Sequence, residues 1–327
     1  MTILVTGAAG FIGAFVARAL LERGERVIGL DNLDSYYDPA LKRHRLEMLE
    51  AHGDFRFVRA DIADFAGMVE TLGGEREAVR VVVHLAAQAG VRHSLENPFA
   101  YARSNLLGHL AILELCRHRL PRLERLVYAS SSSVYGANTE VPFAEDQRVD
   151  RPVSLYAATK RADELMSETY ARLYGIPQIG LRFFTVYGPM GRPDMAYFAF
   201  ADAIVEGRPI RLFNHGRMRR DFTWIEDVVA GVLAAADHRP AREDGVPHRI
   251  FNLGNHRPVE LLTFVHLLER AIGREAVKEF APMQPGDVVE TCADITAARR
   301  ELGFAPTTPL EEGLPRFVAW HRRWRGW

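Results

Sequence analysis

The 327-residue sequence predicts an α/β fold, a doubly wound parallel sheet with a smaller α/β unit toward the C-terminus. Three observations predict it. A short β-branched run, Ile3-Leu4-Val5, passes directly into a glycine-punctuated turn and then into helical spacing. Strand and helix patterns go on alternating through the first half of the chain. From Gly188 to Asp221 the composition shifts to Pro, Gly, Arg and His, as expected of loops over a cleft.

The first element is a strand whose unbroken apolar run suits burial on both faces of a parallel sheet. The turn is Thr6-Gly7-Ala8-Ala9-Gly10-Phe11-Ile12-Gly13, after which Phe15, Val16, Ala19, Leu20 and Leu21 recur at helical spacing up to Gly24. Strand, glycine turn and helix together make a phosphate cradle: Gly7 and Gly10 let the backbone approach a pyrophosphate, Gly13 lets helix and strand pack closely, and the helix N-terminus attracts the anion. The spacing is G-x-x-G-x-x-G, looser than the commonest dinucleotide fingerprint. The next strand, 26–30, ends in Asp31, a carboxylate able to accept from both hydroxyls of an adenosine ribose and to repel a 2′-phosphate. Asn32 after it brings no cation, so the expected cofactor is NAD.

Two further strands, 55–60 and 81–85, end in Asp61-Ile62 and in Leu85-Ala86-Ala87-Gln88-Ala89-Gly90. The small residues let the chain pass close to a cofactor, and Asp61 is placed for the adenine amino group. A helix is expected over about 105–119. The strand 126–129 then delivers Ser130-Ser131-Ser132-Ser133 and Val134-Tyr135-Gly136 to the same sheet edge. Ligands of such sheets bind beyond the strand carboxyl ends, so these segments converge.

Tyr156-Ala-Ala-Thr-Lys160 places a phenol and an ammonium one helical turn apart on one face. The positive charge favours the phenolate, which makes the pair a proton-handling device. Lysine occurs at only three positions, 42, 160 and 278, so its presence here is informative.

Lys and Arg number 41 against 42 Asp and Glu, interleaved, which leaves no electrostatic footprint for nucleic acid or an anionic membrane. No apolar run reaches 18 residues and no basic segment precedes the first strand, so a cytoplasmic protein is expected. Two isolated cysteines, Cys116 and Cys292, make neither a disulfide framework nor a metal site, and the twelve His lack ligand spacing. No metal is expected.

Taken together, T-G-x-x-G-F-I-G, Asp31, Asp61, the Leu85-Ala86-Ala87 segment, the serine cluster before Val134-Tyr135-Gly136, and Tyr156 with Lys160 resemble the extended short-chain dehydrogenase/reductase family of nucleotide-sugar enzymes, the NAD-dependent epimerases and dehydratases. The resemblance covers nearly the whole chain. Its details are similar to the group that epimerises UDP-glucuronate at C4: Asp31 to Asp38, Ser154 to Lys160, Phe184 to Pro189, Gly191 to Ala196, and Arg220 to Thr223. Galactose epimerases usually carry Asn where this chain has Thr185, and related dehydratases and decarboxylases carry Glu where it has Ser133.

The resemblance implies a Rossmann-like NAD domain over 1–180, joined again by about 222–250, and a UDP-sugar domain over 181–327. It implies Tyr156 as the base at the sugar O4, Lys160 beside it and on the nicotinamide ribose, and Ser131 as proton relay. The cofactor set is Gly7, Gly10, Phe11, Ile12, Gly13, Asp31, Asn32, Asp61, Ile62, Leu85, Ala86 and Ala87, with Tyr156 and Lys160. Ser132, Ser133, Thr185 and Arg192 are candidates for the uronate carboxylate, Arg220 for the UDP phosphates, Phe213 for uracil, and Gln284 and Asp287 for the nucleotide pocket. A homodimer through the helix near 105–119 and the one carrying Tyr156 is also implied. Three rival readings are UDP-glucose/UDP-galactose epimerisation, decarboxylation of UDP-glucuronate to a pentose, and a non-catalytic NAD-binding sensor. The intact Ser131, Tyr156 and Lys160 speak against the sensor.

Overall fold

The computed structural model describes residues 1–240, 244–284 and 286–327; Pro285, within the Gln284 to Asp287 motif, and 241–243, within the stretch 222–250, lie outside the described residues. Six strands alternate with helices: β1 (Thr2–Thr6), α1 (Phe11–Glu22), β2 (Arg26–Asp31), α2 (Pro39–Glu50), β3 (Phe55–Arg59), α3 (Phe65–Leu72), β4 (Val79–His84), then the short α4 (His93–Glu96) and α5 (Pro98–Tyr101), α6 (Gly108–His118), β5 (Arg125–Ser131), α7 (Leu155–Tyr174) and β6 (Gln178–Phe183). Beyond them come β7 (Thr185–Tyr187), α8 (Ala196–Glu206), β8 (Ile210–Leu212), β9 (Arg219–Arg220), β10 (Phe222–Trp224), α9 (Ile225–Asp237), β11 (His248–Leu253), β12 (Val259–Glu260), α10 (Leu261–Ile272), β13 (Lys278–Phe280), α11 (Thr296–Leu302) and α12 (Leu310–Arg325).

The main sheet has seven parallel strands in the order β11-β6-β5-β4-β1-β2-β3. Strand order reverses at β1, so the crevice between β1 and β4 is the topological switch point where such sheets take a ligand. Period-two geometry sends Ile3 and Val5 into the core under α1 and α9, and Leu4 into the core under α3 and α6. Val81 and Val83 divide from Val82 in the same way. Both faces being covered explains the continuous apolar runs, with each buried side chain worth about 1.5–3 kcal/mol.

The chain returns to this sheet after leaving it. α9 packs on α1, and β11 pairs with β6 from His248↔Gln178 to Leu253↔Phe183. The later elements build three two-stranded sheets, β7 with β10, β9 with β12 and β8 with β13, packed with α8, α10 and α12.

The helix expected over 105–119 is two pieces: a π-helical stretch, Ala102–Leu107, runs into α6. The wider turn is fixed by tertiary bonds. Asn105 accepts from Gln88 N (2.8 Å) and donates to Gln88 O (3.1 Å) and Thr159 Oγ1 (2.9 Å). Among the described residues, no helix is long and apolar enough to cross a membrane, and no cluster of His, Cys, Asp or Glu is arranged to hold a metal ion.

Candidate active site

A cavity of about 500 Å³ opens at the carboxyl ends of β1, β2, β4 and β5 and continues under the loops after β6 and β7. The glycine turn forms its floor. Gly7 sits at φ +72°, and a Cβ there would lie 2.8 Å from Ala86 N; a Cβ on Gly13 would lie 2.0 Å from Gly7 O. No side chain fits at either point, so the backbone is bared to the cavity beside the start of α1. That is the cradle a pyrophosphate requires.

Asp31 ends β2, buried at the cavity edge, and accepts from Ala9 N (3.1 Å) and Leu33 N (2.8 Å). Asn32 brings no cation, as read from the sequence, but one reaches Asp31 from further along the chain. Lys42 from α2 reaches to 3.9 Å of the Asp31 Oδ1 and lines the cavity, ten positions further along the chain than Asn32. The carboxylate neutralises it, so the local field still does not favour a further phosphate.

Ser154 caps α7 by accepting from Ala157 N (3.1 Å), which places Tyr156 and Lys160 on its first two turns, both on the cavity wall. Lys160 Nζ donates to Ala129 O (2.9 Å) and to Asp163 Oδ2 (3.1 Å). An ammonium has three donors, so one remains for a ligand. Burial pushes the Asp163 carboxyl up to about 6, against the opposing pull of Lys160. His84 under the same site bonds Thr6 Oγ1 at 2.7 Å, and burial, aided by Lys160, lowers it to about 3. It is therefore a neutral ring.

Ser131 ends β5, and its Oγ accepts from Ser133 N (3.2 Å) while standing 3.2 Å from Ser133 Oγ. Ser130, one residue earlier, turns the other way and donates to buried Glu164 Oε1 (2.6 Å), which also takes Arg182 Nε (2.8 Å). The four serines thus divide: Ser130 anchors the sheet to α7 beneath the cavity, while Ser131, Ser132 and Ser133 also present a hydroxyl shelf along it. Thr185 and Arg192 line it too, and Arg192 is gripped by Asp194 through Nε (3.0 Å) and Nη2 (2.5 Å).

At the far end Arg220 lines the cavity, its guanidinium held by Val288 O (2.6 Å) and Val289 O (3.1 Å). Asp287, also on the wall, pairs with Arg92 at 3.3 Å. Of the predicted residues, Gly7, Gly10, Phe11, Ile12, Gly13, Asp31, Asn32, Asp61, Ile62, Leu85, Ala86 and Ala87 are all brought to this one space. Phe213 and Gln284 are not among its lining residues. Phe213 lies under the Arg92 guanidinium at 4.5 Å.

Sequence reasoning missed Tyr36, Lys42, Tyr101 and Asp194. Tyr101 donates to Gly90 O (2.6 Å) and meets Tyr156 edge-on at 6.0 Å, and Tyr36 donates to Asp194 at 3.3 Å. Lys42 carried a signal in the scarcity of lysine in this chain, and Tyr36 and Asp194 lie within the resembling segments Asp31 to Asp38 and Gly191 to Ala196; Tyr101 carried none.

A parallel sheet with a bared glycine cradle, a buried carboxylate at the end of its second strand and a Tyr/Lys pair defines a nicotinamide-dependent enzyme of the extended short-chain type, and the chain belongs to the NAD dependent epimerase/dehydratase family, whose model matches residues 3–254. UDP-glucuronate 4-epimerase 4 of Arabidopsis thaliana is 49% identical, over 98% of this chain and 75% of that one. A probable UDP-glucuronate 4-epimerase of Rhizobium meliloti is 46% identical, over 98% and 97%. The crystal structure of UDP-glucuronic acid 4-epimerase from Bacillus cereus, in complex with UDP-glucuronic acid and NAD, superposes with a TM-score of 0.89 at 34% identity, covering 99% of this chain and all of that one.

Proposed function

We propose that this protein is an isomerase that converts UDP-glucuronate to UDP-galacturonate by NAD-dependent epimerisation at C4. The observation that carries the reading is the single cavity that joins the glycine cradle and Asp31 to Tyr156, Lys160 and Ser131, and these to a shelf of neutral hydroxyls with one arginine.

The residues present fit NAD: the cradle for its pyrophosphate, Asp31 for the adenosine ribose, Asp61 and Ile62 beside the adenine, Lys160 for the nicotinamide ribose. When bound, NAD takes the C4 hydride and returns it to the other face of the sugar. Tyr156 as phenolate takes the O4 proton, directly or through Ser131, and gives it back after the sugar has turned. Ala129 O and Asp163 fix the Lys160 ammonium on the same helix face as Tyr156.

The 4-keto uronate formed in passing is a β-keto acid, prone to lose carbon dioxide when its C5–C6 bond aligns with the carbonyl π system. Ser132, Ser133 and Thr185 bind the carboxylate with neutral donors and Arg192 adds charge, holding it out of that alignment. A hydroxyl at Ser133, in place of a carboxylate, leaves no base there for elimination at C5. Arg220 takes the UDP phosphates, and Asp287 lines the nucleotide end.

The domain division proposed is 1–180 with about 222–250 for NAD and the remainder for the UDP-sugar, supported by the packing of α9 on α1 and the pairing of β11 with β6. A homodimer is proposed through α6 and α7, where Leu110 of α6 and Leu165 and Leu173 (64% exposed) of α7 leave apolar side chains on the surface, as do Phe99 (84%) of α5 and Leu107 just before α6. The two free thiols agree with a cytoplasmic protein. Incubation of the purified protein with UDP-glucuronate tests the reaction: an NMR spectrum with an equatorial H4 and no carbon dioxide supports it, and a UDP-pentose or unchanged substrate refutes it.

A further inference from the structure

Arg45 of α2 is fully buried, yet it is satisfied by carbonyl and phenol oxygens, and no acidic partner is found for it among the described residues. Its Nε and Nη2 donate to Met190 O at 3.0 and 2.5 Å, and Nη2 also reaches Gly191 O at 3.2 Å. Its Nη1 donates to Ala9 O (2.9 Å) and to Tyr37 Oη (2.6 Å). Burying a cation without a counter-charge is costly, and the cost is offset only where several oriented dipoles converge on it.

The carbonyl oxygens that converge belong to two functional segments. Ala9 lies in the glycine turn, and its N–H is already bonded to Asp31. Residues 190 and 191 lead directly into Arg192, and Met190 sits at φ +54°, a left-handed conformation that a β-carbon disfavours. Three of the five bonds of Arg45 therefore hold an unfavourable turn two residues before Arg192.

We infer that Arg45 is a positioning residue that sets Arg192 against the uronate carboxylate, by clamping the backbone of residues 190 and 191 onto the glycine turn of the cofactor cradle. The inference rests on the proposed role of Arg192. Its chemical consequence lies in the 4-keto uronate. With Arg192 loose, the carboxylate rotates into alignment, the C5–C6 bond breaks, carbon dioxide leaves, and the electron pair enters the C4 enolate, which is then protonated at C5.

The test compares R45M, R45K, M190P and R192A in the NAD-loaded enzyme, by calorimetry with UDP-glucuronate and UDP-glucose and by NMR of the product mixture. R45M is expected to weaken UDP-glucuronate binding ~10-fold, the loss of one well-placed charge-assisted contact, while UDP-glucose binding at saturating NAD changes less than about threefold. The share of turnovers ending in carbon dioxide rises, and R45K restores part of the selectivity. M190P cannot adopt a positive φ and reproduces the same pattern with the buried cation in place, so it decides the matter alone where R45M does not fold. Equal weakening of UDP-glucose, or an unchanged product ratio in folded M190P while R192A loses uronate affinity, overturns the inference. An R192A enzyme with undiminished uronate affinity instead refutes the assignment of Arg192, and the inference with it.

Discussion

Removing the Glu164 carboxylate is expected to loosen the platform on which the reactive groups stand. Glu164 in α7 accepts from Ser130 Oγ in β5 (2.6 Å), from Arg182 Nε and Nη2 in β6 (2.8 and 3.0 Å) and from Arg161 (2.9 Å). It thereby ties the helix that carries Tyr156 to the strand that ends at Ser131. In E164A, Arg182 keeps a bond to Tyr135 Oη (3.0 Å) but loses its counter-charge while 1% exposed. Breaking such a buried pair costs about 3–5 kcal/mol, and E164Q, which keeps the shape and one acceptor, about 2–3. Unfolding entropy of about 2.1 cal/mol/K per residue amounts over this chain to roughly 0.7 kcal/mol/K, so E164A should melt ~4–7 °C lower. The assay is calorimetric melting at fixed NAD concentration, since bound cofactor shifts the midpoint. Burial alone would raise the Glu164 carboxyl, but the Arg182 bonds and charge outweigh it and hold it below the ordinary range. Its contribution is therefore complete above the unfolded-chain value and lost as pH falls through the lower folded value, so E164Q and wild type should converge in acid. An E164A midpoint within about 1 °C of wild type refutes the reasoning.

Three other perturbations separate the parts of the account. Y156F should retain NAD and lose ~10²–10⁴-fold in turnover, the usual share of a positioned base; wild-type rates in a steady-state assay remove Tyr156 from that role. G13A puts a methyl 2.0 Å from Gly7 O and should weaken NAD binding ~10–100-fold by opening the turn, which a fluorescence titration reads. Burial keeps His84 (about 3), His248 (about 4) and His109 neutral in the fold. Depressed folded values mean stability that is present above the unfolded value near 6.5 and lost as pH falls; at pH 5 each histidine should cost about 2 kcal/mol, partly opposed by Asp163. Urea unfolding at pH 7 and pH 5 checks the sign, and equal or greater stability at pH 5 contradicts it.

The sheet and its edge could be read from sequence because burial on both faces writes itself as β-branched runs, each ending at the cavity wall or one residue before it: Thr6 before Gly7, Asp31, His84 before Leu85, and Ser131. The Tyr156 helix announced itself through the four-residue spacing of Tyr156 and Lys160. What stayed hidden depends on distant contacts. The two-residue strands β9 and β12 are too short for any period to show. The π-helical turn at 102–107 comes from Asn105 bonding Gln88 and Thr159, and Lys42 reaches Asp31 only because α2 folds back over β2. Phe213 is named by the resemblance alone, and its contact with the Arg92 guanidinium is a long-range one that no local pattern shows.

The central claim is that one hydrogen leaves C4 and returns to the same carbon within a closed site. UDP-glucuronate carrying deuterium at C4 tests it most directly. The account predicts UDP-galacturonate with the label kept at C4; exchange of the label with solvent, or its appearance in a decarboxylated product, would contradict it.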